Sequence, residues 1–170
     1  MLTAHLNRKN PIANRNEIMP TPILIFPVSW DTALTKVVPI KDAPLPQISS
    51  SPKYSPDCWF SPDSVSNMGR PYPYMIFKNM EKLKVSSVKN VIKVGDTVYD
   101  INEGIDAGVV TVGVIEGSSI MALSETEYKA LNEDEKAKIC NHVREVYEKA
   151  GADYVISNLS ELPVLIQQLS

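Results

Sequence analysis

What is scarce in this chain narrows its chemistry before anything else does. Among 170 residues there are two cysteines, Cys58 and Cys140, and two histidines, His5 and His142, all far apart. No CxxC spacing occurs, so a zinc site is unsupported. Two distant cysteines in a chain without a leader read as reduced thiols rather than a bridge. Long apolar runs are missing as well. Arg8 and Lys9 imitate a basic leader, but the apolar stretch behind them, Ile23 to Phe26, is closed by Pro27. That is too short for the core of a signal peptide and far too short to span a membrane. The chain is therefore expected in the cytoplasm. An excess of charge of one sign is also lacking: the net charge is -3 and no Lys/Arg run forms a basic tail. A nucleic-acid surface is not expected. What remains, 44% apolar and 22% charged residues in 170, is the composition of one soluble globular domain.

Proline is plentiful but unevenly placed. Eight of the 13 lie between Pro11 and Pro52. Each removes a backbone donor and interrupts helix and sheet alike. Residues 1–53 are therefore expected to be mostly irregular, with at most a short strand at Ile23–Phe26. From Tyr54 the pattern turns regular, and residues 54–170 read as the domain proper. Pro71 can open a helix to about Leu83, with Met75, Ile76, Met80 and Leu83 on its apolar face. Asn90–Gly95 has the length and composition of a strand. Thr97–Ala107 reads as a helix capped by Gly108, and Val109–Ile115 as a second strand. Ser124 and Glu127 have capping-box spacing. Asp134–Ala150 is a long helix, Asp153–Ser157 a third strand, and Asn158 with Glu161 can open a last helix. Strands alternating with helices predict an α/β fold, a partial doubly wound parallel sheet behind an irregular Pro-rich segment.

Ligands of such sheets bind at the carboxyl ends of the strands. There the chain reads Val94-Gly95-Asp96-Thr97-Val98-Tyr99-Asp100. Asp96 falls at the strand's edge, and Asp100 lies one helical turn on, on the same face. Two carboxylates facing one point repel unless a cation answers them, and Mg²⁺ is the simplest hard cation to do so. The plain alternative is that Asp96 caps the helix and Asp100 is solvated. Gly69-Arg70-Pro71-Tyr72-Pro73 precedes this element. Arg70 offers a planar fork suited to phosphoryl oxygens. Trp59, Tyr72 and Tyr74 read as packing or rim residues, and His142 as a surface residue.

Gly-Arg-Pro-Tyr-Pro followed by Val-Gly-Asp-Thr-x-x-Asp resembles the haloacid-dehalogenase superfamily, and within it phosphonoacetaldehyde hydrolase. Tyr54-Ser-Pro-Asp57, Met75-Ile-Phe-Lys-Asn79, Glu103-Gly-Ile-Asp-Ala-Gly108, Thr111-Val-Gly-Val114, Gly117-Ser118 and Gly151-Ala-Asp-Tyr-Val155 agree as well, so the likeness runs from Tyr54 to Leu169. The resemblance implies a Rossmann-like core and hydrolysis of the C–P bond of phosphonoacetaldehyde to acetaldehyde and phosphate. It implies Mg²⁺ held by Asp96, with Asp100 as a supporting carboxylate and Arg70 binding the phosphoryl oxygens. Thr97 would help to hold the loop. A small phosphonate as substrate and a homodimer follow from the same likeness. In that family an aspartate attacks phosphorus, and a cap-domain lysine forms an imine with the aldehyde.

Those two groups are not evident here. Asp31-Thr-Ala-Leu-Thr35 resembles the family's Asp-x-Ala-Gly-Thr, but Leu34 stands where glycine belongs and Pro27 intervenes. Asp31 is thus a weak nucleophile candidate. Lys36, Lys41 and Lys53 have nothing but their amines to recommend them, so no imine lysine is identified. Three functions are consistent with the chain: a phosphonoacetaldehyde hydrolase by descent, inactive alone; a phosphatase of a small phosphate ester; and a remnant that binds Mg²⁺ or phosphate, or dimerises, without catalysis. A sheet missing its first strand is also expected to leave an open edge and to favour association.

Overall fold

The structure, a computed structural model, describes residues 57–169 together with the strands 23–27 and 35–39. Asp31, Lys41 and Lys53 lie outside the described residues, and of the strand residue Lys36 only the backbone is described. The chain order of the described elements is β1 (Ile23–Pro27), β2 (Thr35–Pro39), β3 (Cys58–Phe60), α1 (Tyr74–Leu83), β4 (Val91–Gly95), α2 (Val98–Ala107), β5 (Val110–Val114), α3 (Glu125–Ala130), α4 (Glu133–Ala150), β6 (Tyr154–Ile156) and α5 (Leu162–Leu169). The strands form one sheet in the order β3-β2-β1-β4-β5-β6. β1, β4, β5 and β6 run parallel, while β2 and β3 are antiparallel additions.

The short strand expected at Ile23–Phe26 is present as β1, and β2 is a further strand, not expected from the sequence. β1 pairs parallel with β4, Ile25 opposite Lys93, and antiparallel with β2, Ile23 opposite Pro39 and Pro27 opposite Thr35. Both prolines are the last residue of their strand, outside the strand interior where a missing N–H would remove a ladder bond. The prolines thus delimit strands rather than forbid them. The open edge expected of a sheet missing its first strand is not found at β4, which β1 covers.

From residue 57 on, the elements follow the hydrophobic pattern closely. Every residue of β4, β5 and β6 is buried, as strands covered on both faces must be. Side chains alternate between the faces. Ile92 and Val94 pack with Val110, Val112, Val114, Leu162, Leu165 and Ile166 under α5. On the opposite face Val91 joins Ile76, Ala107 and Val109. A third cluster, with Ile101, Val143, Tyr147 and Val155, seats α4 beside α2.

Helix ends are set by caps. α1 begins at Tyr74 and not at Pro71, and Pro73 occupies its N-cap position. Thr97, not Asp96, is the N-cap of α2, and Gly108 ends that helix with φ 71°. The Ser124–Glu127 capping box is present, and α4 opens on a second one, Asn132 with Glu135. Gly104 lets α2 press on the sheet: a Cβ there would lie 2.3 Å from Thr111 Cγ2 and 3.1 Å from Lys93 Cβ. Trp59, Tyr72 and Tyr74 are exposed, so they do not pack in the core, and His142 is exposed too. Cys58 is buried and Cys140 half-buried, both as free thiols. No helix among the described residues is long and apolar enough to cross a membrane.

Candidate active site

The carboxyl end of β4 gathers five charged side chains, and the sequence explains how. β4 stops at Gly95, where a Cβ would lie 2.1 Å from Asp100 Cβ and 2.5 Å from its Cγ. Only glycine permits α2 to fold back so closely that its third residue touches the strand it follows. Thr97 then clasps Asp100 twice. Its hydroxyl accepts from the Asp100 amide at 3.1 Å and donates to Asp100 Oδ2 at 2.6 Å.

Asp100 is fully buried, and its other oxygen carries two cations. Arg70 Nη1 donates to Oδ1 at 2.7 Å and Lys93 Nζ approaches the same atom at 2.9 Å. Lys93, in turn, reaches Glu103 Oε2 at 2.7 Å, and neither side chain has any solvent exposure. Arg70 keeps 19% of its side chain exposed, so the network runs from the closed interior to the surface. Beside it stands Asp96, half-buried. Its carbonyl accepts from the Ser119 amide at 3.2 Å, which joins the loop after β4 to the loop after β5.

The electrostatics sort the carboxylates into different roles. Burial pushes Asp100 upward, but Lys93, Arg70 and the Thr97 hydroxyl outweigh it and hold the group below its ordinary value. Burial raises Asp96 and the nearby Asp100 raises it further, against weaker pulls from its own amide, Arg70 and Lys93. Burial also raises Glu103, more than Lys93 lowers it. Asp100 is therefore an anion satisfied by protein cations. Asp96 is the carboxylate that a further cation would relieve.

This bears directly on the predicted metal site. The charge of Asp100 is answered by Lys93 and Arg70, and both of its oxygens are engaged. Among the described residues no cluster of three or more His, Cys, Asp or Glu side chains is arranged to hold a metal. Among the described residues of the site, Asp96 is the carboxylate left to meet a hard cation. That fits Mg²⁺, which commonly takes one or two carboxylates and completes its shell with water and phosphoryl oxygens. Lys93 and Glu103 went unread in the sequence because Lys93 sits inside an apolar run. A signal did exist: Asp100, Glu103 and Ala107 share the inner face of α2, and two inward carboxylates require a buried cation.

A mostly parallel sheet with an arginine and an Asp-x-x-x-Asp pair meeting at one strand end fits a Rossmann-like α/β core of the haloacid-dehalogenase type. Comparison with known proteins narrows this. No family model matches the chain. Over 117 residues it is 49% identical to a phosphonoacetaldehyde hydrolase of Lysinibacillus sphaericus, covering 69% of this chain and 44% of that relative. Over 123 residues it is 40% identical to the phosphonoacetaldehyde hydrolase of Lactiplantibacillus plantarum, covering 72% of this chain and 46% of the relative. The crystal structure of a phosphonoacetaldehyde hydrolase-like protein from Oleispira antarctica superposes with a TM-score of 0.57 at 37% identity, over 59% of this chain and 37% of that one. The matched stretch belongs to the phosphonoacetaldehyde hydrolase family. The chain spans less than half the length of these curated relatives.

Proposed function

We propose that the carboxyl end of β4 is the Mg²⁺- and phosphoryl-binding half of a phosphonoacetaldehyde hydrolase site, and that this chain does not release acetaldehyde by itself. The observation that carries the first part is Arg70, fixed by Asp100 and partly exposed beside Asp96, within a stretch 49% identical to such an enzyme. Arg70 binds phosphoryl oxygens, Asp100 orients it, and Asp96 holds the metal. Mg²⁺, when bound, neutralises charge between carboxylate and phosphoryl group.

Two observations support the second part. β1 runs parallel beside β4, where the family's attacking aspartate would follow the strand, and it ends at Pro27 with Asp31 four residues further on. Lys93 is a buried lysine, but its ammonium is committed to two carboxylates and has no solvent exposure, so it is no imine former. A second reading, a remnant that binds Mg²⁺ and phosphate without turnover, rests on the same two facts. A phosphatase of a small phosphate ester would equally need the nucleophile.

The test is calorimetric titration of the 170-residue chain with phosphate in Mg²⁺, beside an acetaldehyde assay on phosphonoacetaldehyde. Binding lost in Arg70→Ala and Asp96→Asn, with no acetaldehyde formed, is the expected result. Acetaldehyde release abolished by Asp31→Asn would overturn the inactivity. Borohydride trapping of an imine would decide against a simple phosphatase. Absence of phosphate binding would remove the reading altogether.

A further inference from the structure

Lys93 is the feature of this site that neither metal binding nor phosphoryl contact explains. It sits in the middle of β4, a strand otherwise made of Val, Ile and Gly, and has no exposure. Its stem fills the space left by Gly104, whose missing Cβ would be 3.1 and 3.2 Å from Lys93 Cβ and Cγ. Burying such an ion network is costly, and an apolar side chain of similar volume is commonly as stabilising or more so. The charge therefore calls for a reason other than stability.

The pattern of contacts on Asp100 supplies one. A carboxylate and a guanidinium left to themselves pair as two forks, with two parallel hydrogen bonds. Here the pair makes a single bond, Nη1 to Oδ1 at 2.7 Å. Lys93 shares that same oxygen, and Thr97 holds the other. Glu103 anchors Lys93 from behind at 2.7 Å. We infer that Lys93, braced by Glu103, is a positioning residue that occupies Asp100 so that Arg70 is tethered by one nitrogen and keeps its remaining donors for phosphoryl oxygens. This rests on the proposed phosphoryl site. It adds a specific role for two residues that touch neither metal nor substrate.

Removing Lys93 should let Arg70 turn onto Asp100 as a two-pronged pair and weaken its hold on phosphate. The double variant Lys93→Met/Glu103→Gln removes both buried charges together and so avoids stranding one of them. Three measurements decide the matter on the whole chain: the melting temperature, phosphate affinity in Mg²⁺ by calorimetry, and the ¹⁵N resonances of the Arg70 guanidinium without ligand. The expected result is a folded double variant whose Arg70 resonances have shifted and whose phosphate affinity has fallen about tenfold or more, the loss of one charge-assisted hydrogen bond. A folded double variant with unchanged Arg70 resonances and unchanged affinity would overturn the inference, since a purely structural lysine would behave so.

The wild-type chain offers an arm that needs no variant. Phosphate should move the Arg70 guanidinium resonances and leave the Lys93 ammonium where it was. A Lys93 shift as large as that of Arg70 would make it a ligand and end its positioning role. If the wild-type chain binds no phosphate, the proposed function fails, while the ligand-free Arg70 resonances still decide the positioning.

Discussion

At the scale of single residues, Asp100 is the hinge of the site. It is buried, and three partners hold it in its ionised form. Asp100→Asn leaves Lys93 and Arg70 without their shared anion, and breaking a buried pair in this way costs about 3–5 kcal/mol. Urea unfolding at neutral pH measures it. The pH dependence has a definite sign. The folded-state value of Asp100 lies below its ordinary 3.8, so its contribution is complete above that pH and is lost as the pH falls through the lower folded value. The stability gap between wild type and Asp100→Asn should therefore hold constant down to about pH 4 and close below it. Gly95→Ala tests the same residue from behind. The added methyl must displace Asp100 or the backbone, so a loss of about 1–3 kcal/mol is expected, together with weaker phosphate binding.

At the scale of elements, the central strands and helices were legible, as was β1, while β2 and β3 were not. β4, α2, β5, α4 and β6 fall within a few residues of their expected bounds, because burial on both faces writes an apolar run and caps mark helix ends. β2 escaped notice because Thr35-Lys-Val-Val-Pro39 is short and Pro-bounded, and because its reason to exist is pairing with β1 and β3. Long-range pairing leaves no local trace. The candidate site divides in the same way. Arg70, Asp96 and Asp100 stand in motifs of fixed spacing, whereas Lys93 and Glu103 acquire meaning only when α2 folds onto β4. The caps themselves carry a prediction. Asn132 accepts from the Glu135 amide at 2.9 Å and Glu135 returns the bond to the Asn132 amide at 3.0 Å. Asn132→Ala should cost about 1 kcal/mol, read from thermal or urea unfolding, and leave phosphate binding unchanged.

At the scale of the whole molecule, the described sheet joins two kinds of construction. β1, β4, β5 and β6 make the parallel core of a Rossmann-like α/β sheet, and the antiparallel β2 and β3 extend it past β1. The terminal strands of this sheet, β3 and β6, are three residues long each. Short edges offer little template for strand addition, which replaces the open edge expected from the sequence with two guarded ones.

The bond from the Ser119 amide to the Asp96 carbonyl has a consequence in time rather than in space. It ties the loop that follows β4 to the loop that follows β5, so the Ser119 amide exchanges when that bond breaks. Hydrogen exchange at Ser119 is then a clock for the contact between the two loops. Mg²⁺ and phosphate should slow it in the wild-type chain, and Asp96→Asn should abolish that slowing, as amide-resolved exchange would record.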